Sequence, residues 1–141
     1  MSKCHQPKST ILVIFGAGGD LTKRKLIPPL QRLFQNKSLG ENFEIIGVDR
    51  LDCSDAKFQS HLHESWLRFS RQGRGEASSW EGLRTRLRFL SGDFTRRDTY
   101  VALKEMLLRK CCQWNEDAQF VFYLATPALA IGTIAAFLGE Q

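Results

Sequence analysis

The chain has 141 residues, close to the length of one domain, with 43% hydrophobic and 25% charged residues. This composition excludes a disordered tail, a collagen-like repeat and a coiled coil, and a chain of this length can bury a core without cross-links. Twenty Lys and Arg against fifteen Asp and Glu give a net charge of +5, which suits an anionic partner, either a small phosphate ligand or a nucleic acid.

Apolar runs and amphipathic segments alternate along the chain after a polar leader. The leader, residues 1–9, is predicted to be flexible. Strands are predicted at Thr10–Phe15, Phe43–Val48, Leu87–Leu90 and Gln119–Ala125. Helices are predicted from Leu21 (interrupted at Pro28 and Pro29), over Ser54–Phe69 with Ser54 as its cap, over Thr95–Cys112, and after Thr126-Pro127 as far as Leu138.

This order predicts an α/β fold, a doubly wound parallel sheet of Rossmann-like type with about four strands and helices on both faces. A complete dinucleotide fold normally has six strands. Residues 10–141 are therefore predicted to form a truncated dinucleotide-binding domain that lacks a catalytic domain, with strand one or strand four as an open edge.

A glycine-rich turn, Gly16-Ala-Gly-Gly-Asp-Leu21, joins the first strand to the first helix. Glycines at this point let the backbone turn tightly and approach a pyrophosphate, whose charge then meets the helix N-terminus. Leu21 stands where the G-x-G-x-x-G pattern has its third glycine, so a plain turn is the alternative interpretation. The strand and helix on either side favour nucleotide binding.

A longer string closely resembles the N-terminal signature of the glucose-6-phosphate dehydrogenase family. Phe15-Gly-Ala-Gly-Gly-Asp-Leu-Thr-Lys-Arg-Lys-Leu-Ile-Pro28 is similar to the family's G-A-S-G-D-L-(T/A)-(K/R)-(R/K)-K-L-x-P. Two later stretches, Ile45-Ile-Gly-Val-Asp-Arg50 and Phe122-Tyr-Leu-Ala-Thr-Pro127, are similar to its I-I-G-x-x-R and Y-(L/F)-A-x-P-P. The resemblance runs from about Ile11 to Gly139 and covers only the coenzyme half of the family's sequence.

The resemblance implies the NADP-binding domain of an enzyme that oxidises glucose 6-phosphate to 6-phosphogluconolactone, the first step of the pentose phosphate pathway. It implies that Arg50 binds the 2′-phosphate, since a planar guanidinium suits bidentate phosphate contacts. It also implies that Asp93 and Phe94 lie near the adenosine or ribose, and that Tyr123 approaches the nicotinamide. The implied cofactor-binding residues are Gly16, Ala17, Gly18, Gly19, Asp20, Leu21, Thr22, Lys23, Arg50, Asp93, Phe94 and Tyr123.

Three residues depart from the family pattern: Gly18 replaces a Ser, Ala128 replaces a Pro, and Asp49 stands where a small residue is usual. An acid at the end of the second strand normally accepts a hydrogen bond from the ribose 2′-OH of NAD. The sequence therefore predicts NADP as the cofactor and leaves NAD open.

The residues that would oxidise the sugar are not found in residues 1–141. Oxidation of the C1 hydroxyl needs a base, which the family supplies from an R-I-D-H-Y-x-G-K stretch, while the Lys of an E-K-P-x-G stretch helps to bind substrate. Neither stretch occurs here. We therefore predict no catalytic residue in this chain and no activity for the chain alone. The alternative interpretation is a non-catalytic nucleotide-binding or interaction module from a truncated gene product.

Other partners are not favoured by the sequence. His61 and His63 are two residues apart on a helix and point apart, so no metal site is predicted. Glu64, Glu76 and Glu81 are interspersed with the arginines of residues 68–88, which favours a solvated face over a nucleic-acid site. No run is long enough for a membrane span, and the four cysteines lack C-x-x-C spacing, so a cytoplasmic protein is predicted. The full-length family member is expected to be a homo-oligomer that binds cofactor and sugar phosphate.

Overall fold

Seven helices and strands make up the part of the chain that the computed structural model describes, residues 9–17, 29, 42–50, 54–69, 82, 84–115, 118–125 and 128–140. The predicted leader up to residue 8 and the helix predicted from Leu21 lie outside these residues, apart from Pro29. In chain order the elements are β1 (Thr10–Phe15), β2 (Phe43–Asp49), α1 (Asp55–Phe69), β3 (Leu87–Ser91), α2 (Arg97–Trp114), β4 (Gln119–Leu124) and α3 (Ala128–Glu140).

The four strands form one parallel sheet in the order β3-β2-β1-β4. Alternate side chains of each strand point to opposite faces. One face packs on Phe58 and Leu62 of α1, and the other packs on α2 and α3 through residues such as Leu103 and Ile134. A parallel sheet covered by helices on both faces confirms the predicted Rossmann-like fold, here with four strands.

The ends of the predicted elements shift by one or two residues. Ser54 caps α1 as predicted, because its hydroxyl accepts a hydrogen bond from the Lys57 N–H at 3.1 Å. The helix predicted from Thr95 instead begins at Arg97, since Thr95 forms a turn with Asp93. It runs on to Trp114 and ends at Asn115, whose left-handed backbone (φ 57°) stops it.

The two edges of the sheet differ. Of the two strands predicted as an open edge, β1 is central and β4 lies at the edge, where Phe120, Val121 and Phe122 are 38–39% exposed. The other edge is β3, and there side chains of α1 bond the outward-facing backbone. Asp55 accepts from the Phe89 N–H at 2.7 Å, and the Gln59 amide donates to Leu87 O at 3.1 Å.

A largely buried ion pair joins the sheet to α2. The Lys110 ammonium lies 2.8 Å from the Glu44 carboxylate, and their side chains are only 16% and 8% exposed. The same ammonium lies 5.8 Å from the ring centre of Trp114. Because removing one member would leave a buried charge without its counterion, loss of either side chain would destabilise the packing of α2 against β2.

Gly47 lets β2 lie very close to two neighbouring side chains. A Cβ built there would lie 2.6 Å from the Phe58 ring and 2.7 Å from the Ala17 Cβ. A glycine inside a strand often marks such an approach. The missing side chain lets both α1 and the turn after β1 close onto β2.

We expect Gly47→Ala to reduce the free energy of unfolding by about 1–3 kcal/mol, because the added methyl group overpacks this contact. Gly132→Ala in α3 is the matched control, since nothing lies within 4 Å of the position that an added Cβ would take and alanine favours a helix by about 0.5–1 kcal/mol. Urea unfolding of both variants measures the difference. Equal effects would contradict the close packing at Gly47.

Candidate functional site

The turns that follow the four strands meet along the carboxyl edge of the sheet. In parallel sheets this edge is where ligands bind. Backbone hydrogen bonds tie the turns after β1, β3 and β4 to the end of a neighbouring strand. These bonds run from Gly16 N–H (2.8 Å) and Ala17 N–H (3.3 Å) to Val48 O, from Gly92 N–H to Asp49 O (2.8 Å), and from Ala125 N–H to Phe15 O (2.8 Å).

The predicted phosphate loop begins as its glycines require. Gly16 has a φ of 89°, a conformation that residues with a Cβ rarely adopt. Ala17 follows, only 1% exposed and packed in the core with Phe58. Both predicted residues therefore anchor the start of the loop. The remaining predicted loop residues, Gly18, Gly19, Asp20, Leu21, Thr22 and Lys23, lie outside the described residues.

Arg50 extends into solvent directly after β2, with 69% of its side chain exposed. The strand runs through Asp49, one residue further than predicted. The Asp49 carboxylate accepts a hydrogen bond from the Arg50 backbone N–H at 2.8 Å. The acid therefore contacts the backbone of the very residue predicted to bind the 2′-phosphate.

Asp93 is held in a tight turn after β3. Its Oδ1 accepts hydrogen bonds from the Thr95 N–H at 2.8 Å and from the Thr95 hydroxyl at 2.7 Å. Its Oδ2 lies 3.5 Å from Nη2 of Arg50. The two Thr95 hydrogen bonds are the largest causes that lower the pKa of Asp93. Burial opposes them, and the Arg50 charge lowers this pKa further by a smaller effect. The carboxylate is thus ionised at neutral pH and faces the guanidinium.

Phe94 points its ring into the core. The ring meets that of Phe15 edge-on, with centroids 5.8 Å apart, and the Phe94 carbonyl accepts a hydrogen bond from the Tyr100 hydroxyl at 2.7 Å. The Thr99 hydroxyl donates to Asp93 O at 2.8 Å. Two side chains of α2 thereby hold the turn that carries Asp93.

Tyr123 lies on β4, on the far side of β1 from Arg50. It is partly buried and packs on the α1 face of the sheet, whereas Phe94 packs on the opposite face. Arg50 and Asp93, two predicted residues that follow different strands, are in direct contact in the structure.

Sequence reasoning missed Thr95, Thr99 and Tyr100, which hold the Asp93 turn. An aspartate two residues before a threonine is a signal for a turn in which the carboxylate bonds the backbone. Nothing in the sequence pattern indicates that the carbonyls of this turn are paired with a helix that follows it.

Two kinds of site do not occur among the described residues. No group of three or more His, Cys, Asp or Glu side chains there could hold a metal ion. None of the described helices combines the length and the apolar character that crossing a membrane requires.

The carboxyl edge of the sheet lies within a region that matches a known protein family. The family model "Glucose-6-phosphate dehydrogenase, NAD binding domain" matches residues 13–141. The chain belongs to the glucose-6-phosphate dehydrogenase family. The carboxyl edge is therefore that of a nicotinamide-dinucleotide-binding domain, as the sequence resemblance implied.

Relatives named glucose-6-phosphate 1-dehydrogenase match nearly the whole chain. The protein of Chlamydia muridarum is 32% identical over 83% of this chain and 23% of its own length. That of Bacillus subtilis is 31% identical over 99% of this chain and 27% of its own length. The chain thus spans about a quarter of the relatives that it matches.

Solved structures agree in fold. A glucose-6-phosphate dehydrogenase in complex with its substrate glucose-6-phosphate superposes with a TM-score of 0.88 at 23% identity, over 99% of this chain and 28% of that one. The enzyme of Mycobacterium avium gives a TM-score of 0.80 at 26% identity, over 94% and 27%.

We expect Tyr100→Phe to reduce the free energy of unfolding by about 1–2 kcal/mol, because the ring stays packed while the Phe94 carbonyl loses its donor. Urea unfolding measures this loss, with Tyr123→Phe, which keeps that hydrogen bond, as the control. An unchanged unfolding free energy in Tyr100→Phe would contradict a stabilising role for the bond.

Burial raises the pKa of Tyr100 from 10.0 to about 12, with a smaller contribution from the Asp93 charge. The pKa is higher in the folded state, so Tyr100 stabilises the fold below about pH 10 and this contribution is lost as the pH rises towards 12. The chain has two tyrosines, so phenolate absorbance in Tyr123→Phe follows Tyr100 alone. A midpoint near 10 in the folded protein would contradict this result.

Proposed function

We propose that the chain is the NADP-binding domain of a cytoplasmic glucose-6-phosphate 1-dehydrogenase, the enzyme of the first step of the pentose phosphate pathway. The observation that carries the proposal is the exposed guanidinium of Arg50 directly after β2, the strand to whose carboxyl end the Gly16 turn is hydrogen-bonded. In this family's fold, that arrangement suits a dinucleotide with an additional phosphate.

The residues at the edge fit the chemical groups of NADP. A guanidinium presents planar N–H donors that match phosphate oxygens in pairs. The positive φ of Gly16 suits a tight turn that lets backbone approach a pyrophosphate. We assign the pyrophosphate to the loop from Gly16 to Lys23 and the 2′-phosphate to Arg50.

The cofactor and the residues of this chain have different roles in the proposed reaction. Bound NADP would supply the nicotinamide that accepts a hydride from C1 of glucose 6-phosphate. The chain's own residues bind and orient the cofactor, with Tyr123 on the nicotinamide side and Asp93 and Phe94 on the adenosine or ribose side. The base that takes the hydroxyl proton belongs to motifs that residues 1–141 do not contain.

Asp49 and Arg50 have opposite effects on the choice of cofactor. A carboxylate near the 2′-phosphate repels it by about 1 kcal/mol at a solvent-screened site. Two charge-assisted hydrogen bonds from Arg50 contribute roughly 1.5–3 kcal/mol. NADP therefore binds more tightly than NAD, by a smaller margin than a small residue at position 49 would allow.

We expect Arg50→Ala to weaken NADP binding roughly 10- to 100-fold and to leave NAD binding nearly unchanged, because only NADP has the 2′-phosphate. Asp49→Ala should strengthen NADP binding modestly. Calorimetric titration of both cofactors into the wild type and the two variants is the measurement. Tighter binding of NAD to the wild type, or an equal loss for both cofactors in Arg50→Ala, would contradict the assignment.

We also expect the purified 141-residue chain to bind NADP without reducing it when glucose 6-phosphate is added. Gly19→Val should abolish binding, because its side chain would fill space that the pyrophosphate needs. NADPH absorbance measures turnover and calorimetry measures binding. Turnover that a substitution within residues 1–141 removes would overturn the first expectation, and unchanged affinity in a folded Gly19→Val variant would overturn the second.

A further inference from the structure

We propose that Asp93 is a specificity-determining residue: its carboxylate competes with the 2′-phosphate for Arg50 and so narrows the preference for NADP over NAD. The inference rests on the proposed function, because it takes Arg50 as the 2′-phosphate ligand. It adds a second acid, from a different strand end, to the effect expected of Asp49.

The competition starts from a contact that already exists in the protein. Nη2 of Arg50 lies 3.5 Å from Oδ2 of Asp93, and the two side chains are 69% and 34% exposed. The pair is therefore open to solvent, and a ligand can reach the guanidinium without unfolding any element. A solvent-exposed ion pair of this kind is weak enough to exchange.

The side chain of Asp93 is restrained by hydrogen bonds, whereas the side chain of Arg50 extends into solvent. Both hydrogen bonds from Thr95 hold Oδ1, and the Thr99 hydroxyl holds the Asp93 carbonyl. Arg50 is held through its backbone N–H at Asp49, while its long side chain extends into solvent. When a phosphate binds the guanidinium, the Asp93 carboxylate therefore stays in place and cannot rotate away from the phosphate freely.

A phosphate and a carboxylate seek the same donors. Both are acceptor-only anions that bind the guanidinium fork, and each repels the other when they share it. Asp49 and Asp93 together carry more negative charge than Arg50 neutralises. The two carboxylates therefore weaken the binding of the 2′-phosphate of NADP to Arg50. NAD has a hydroxyl at this position, so its binding is not weakened in this way.

The decisive substitution is Asp93→Asn. It removes the charge, and its side-chain oxygen still accepts the Thr95 hydrogen bonds. Because exposed ion pairs are weak, we expect the ratio of the Kd for NADP to the Kd for NAD to fall about two- to fivefold. Any contact of Asp93 with the adenosine or ribose is common to both cofactors, so the ratio isolates the effect at the 2′-phosphate. Asp93→Ser, which also forms a turn of this kind, is the second variant in case the amide disturbs folding.

Asp98→Asn is the matched control. It makes the same change in net charge at the first turn of α2, but Asp98 is paired with Arg96 at 3.9 Å and is 88% exposed. We expect it to alter neither Kd. The double variant Arg50→Ala/Asp93→Asn should bind NADP no more tightly than Arg50→Ala alone.

Calorimetric titration of NADP and NAD into these variants separates the possible outcomes. A higher ratio of the Kd for NADP to the Kd for NAD in Asp93→Asn would overturn the proposal and make Asp93 a residue that positions Arg50. An unchanged ratio in Asp93→Asn, or an equal fall of the ratio in Asp98→Asn, would also overturn it. If Arg50→Ala leaves the ratio of the two Kd values unchanged, the proposed function itself fails, and that result is read independently of Asp93.

Discussion

The burial of β1 between two helical layers is the constraint on which the rest of the structure depends. Ile11, Val13, Ile14 and Phe15 are 0% exposed, and both neighbouring strands pair with β1 in parallel register. A strand held on four sides cannot shift, so the turn at Gly16 leaves the sheet at a defined point. The carboxyl edge is built outward from that point.

Two ion pairs at opposite ends of β2 serve different purposes. Glu44 and Lys110, near the start of the strand, are largely buried and hold α2 against the sheet. Arg50 and Asp93, beyond its end, are separated by a longer distance and are open to solvent. Charges that are shielded from water stabilise one arrangement, whereas exposed charges can exchange partners with a ligand. The Glu44–Lys110 pair is buried because α2 covers it, whereas the Arg50–Asp93 pair is exposed because it lies at the carboxyl edge, where a cofactor is proposed to bind.

The sheet protects its edges unevenly. Side chains of α1 bond the outward-facing backbone of β3, which blocks pairing with another strand there. On β4, three neighbouring apolar side chains remain more than a third exposed. The turn with Asp93 directly follows β3, so it lies at the edge that α1 covers. Side chains of α2 hold this turn in place.

The amino-acid sequence by itself determined the order of the elements, the parallel sheet, the cap at Ser54 and the family, because buried apolar runs, turn glycines and a long motif are local signals. Only the tertiary structure decided which strands are edges, that Gly47 receives both Ala17 and Phe58, and that Asp93 meets Arg50. Arg50 and Asp93 are 43 positions apart in the sequence. The sequence around each of them indicates only a charged residue at the surface. Their contact exists because β2 and β3 are neighbours whose carboxyl ends meet, and strand order arises from the packing of the whole sheet rather than from any one segment.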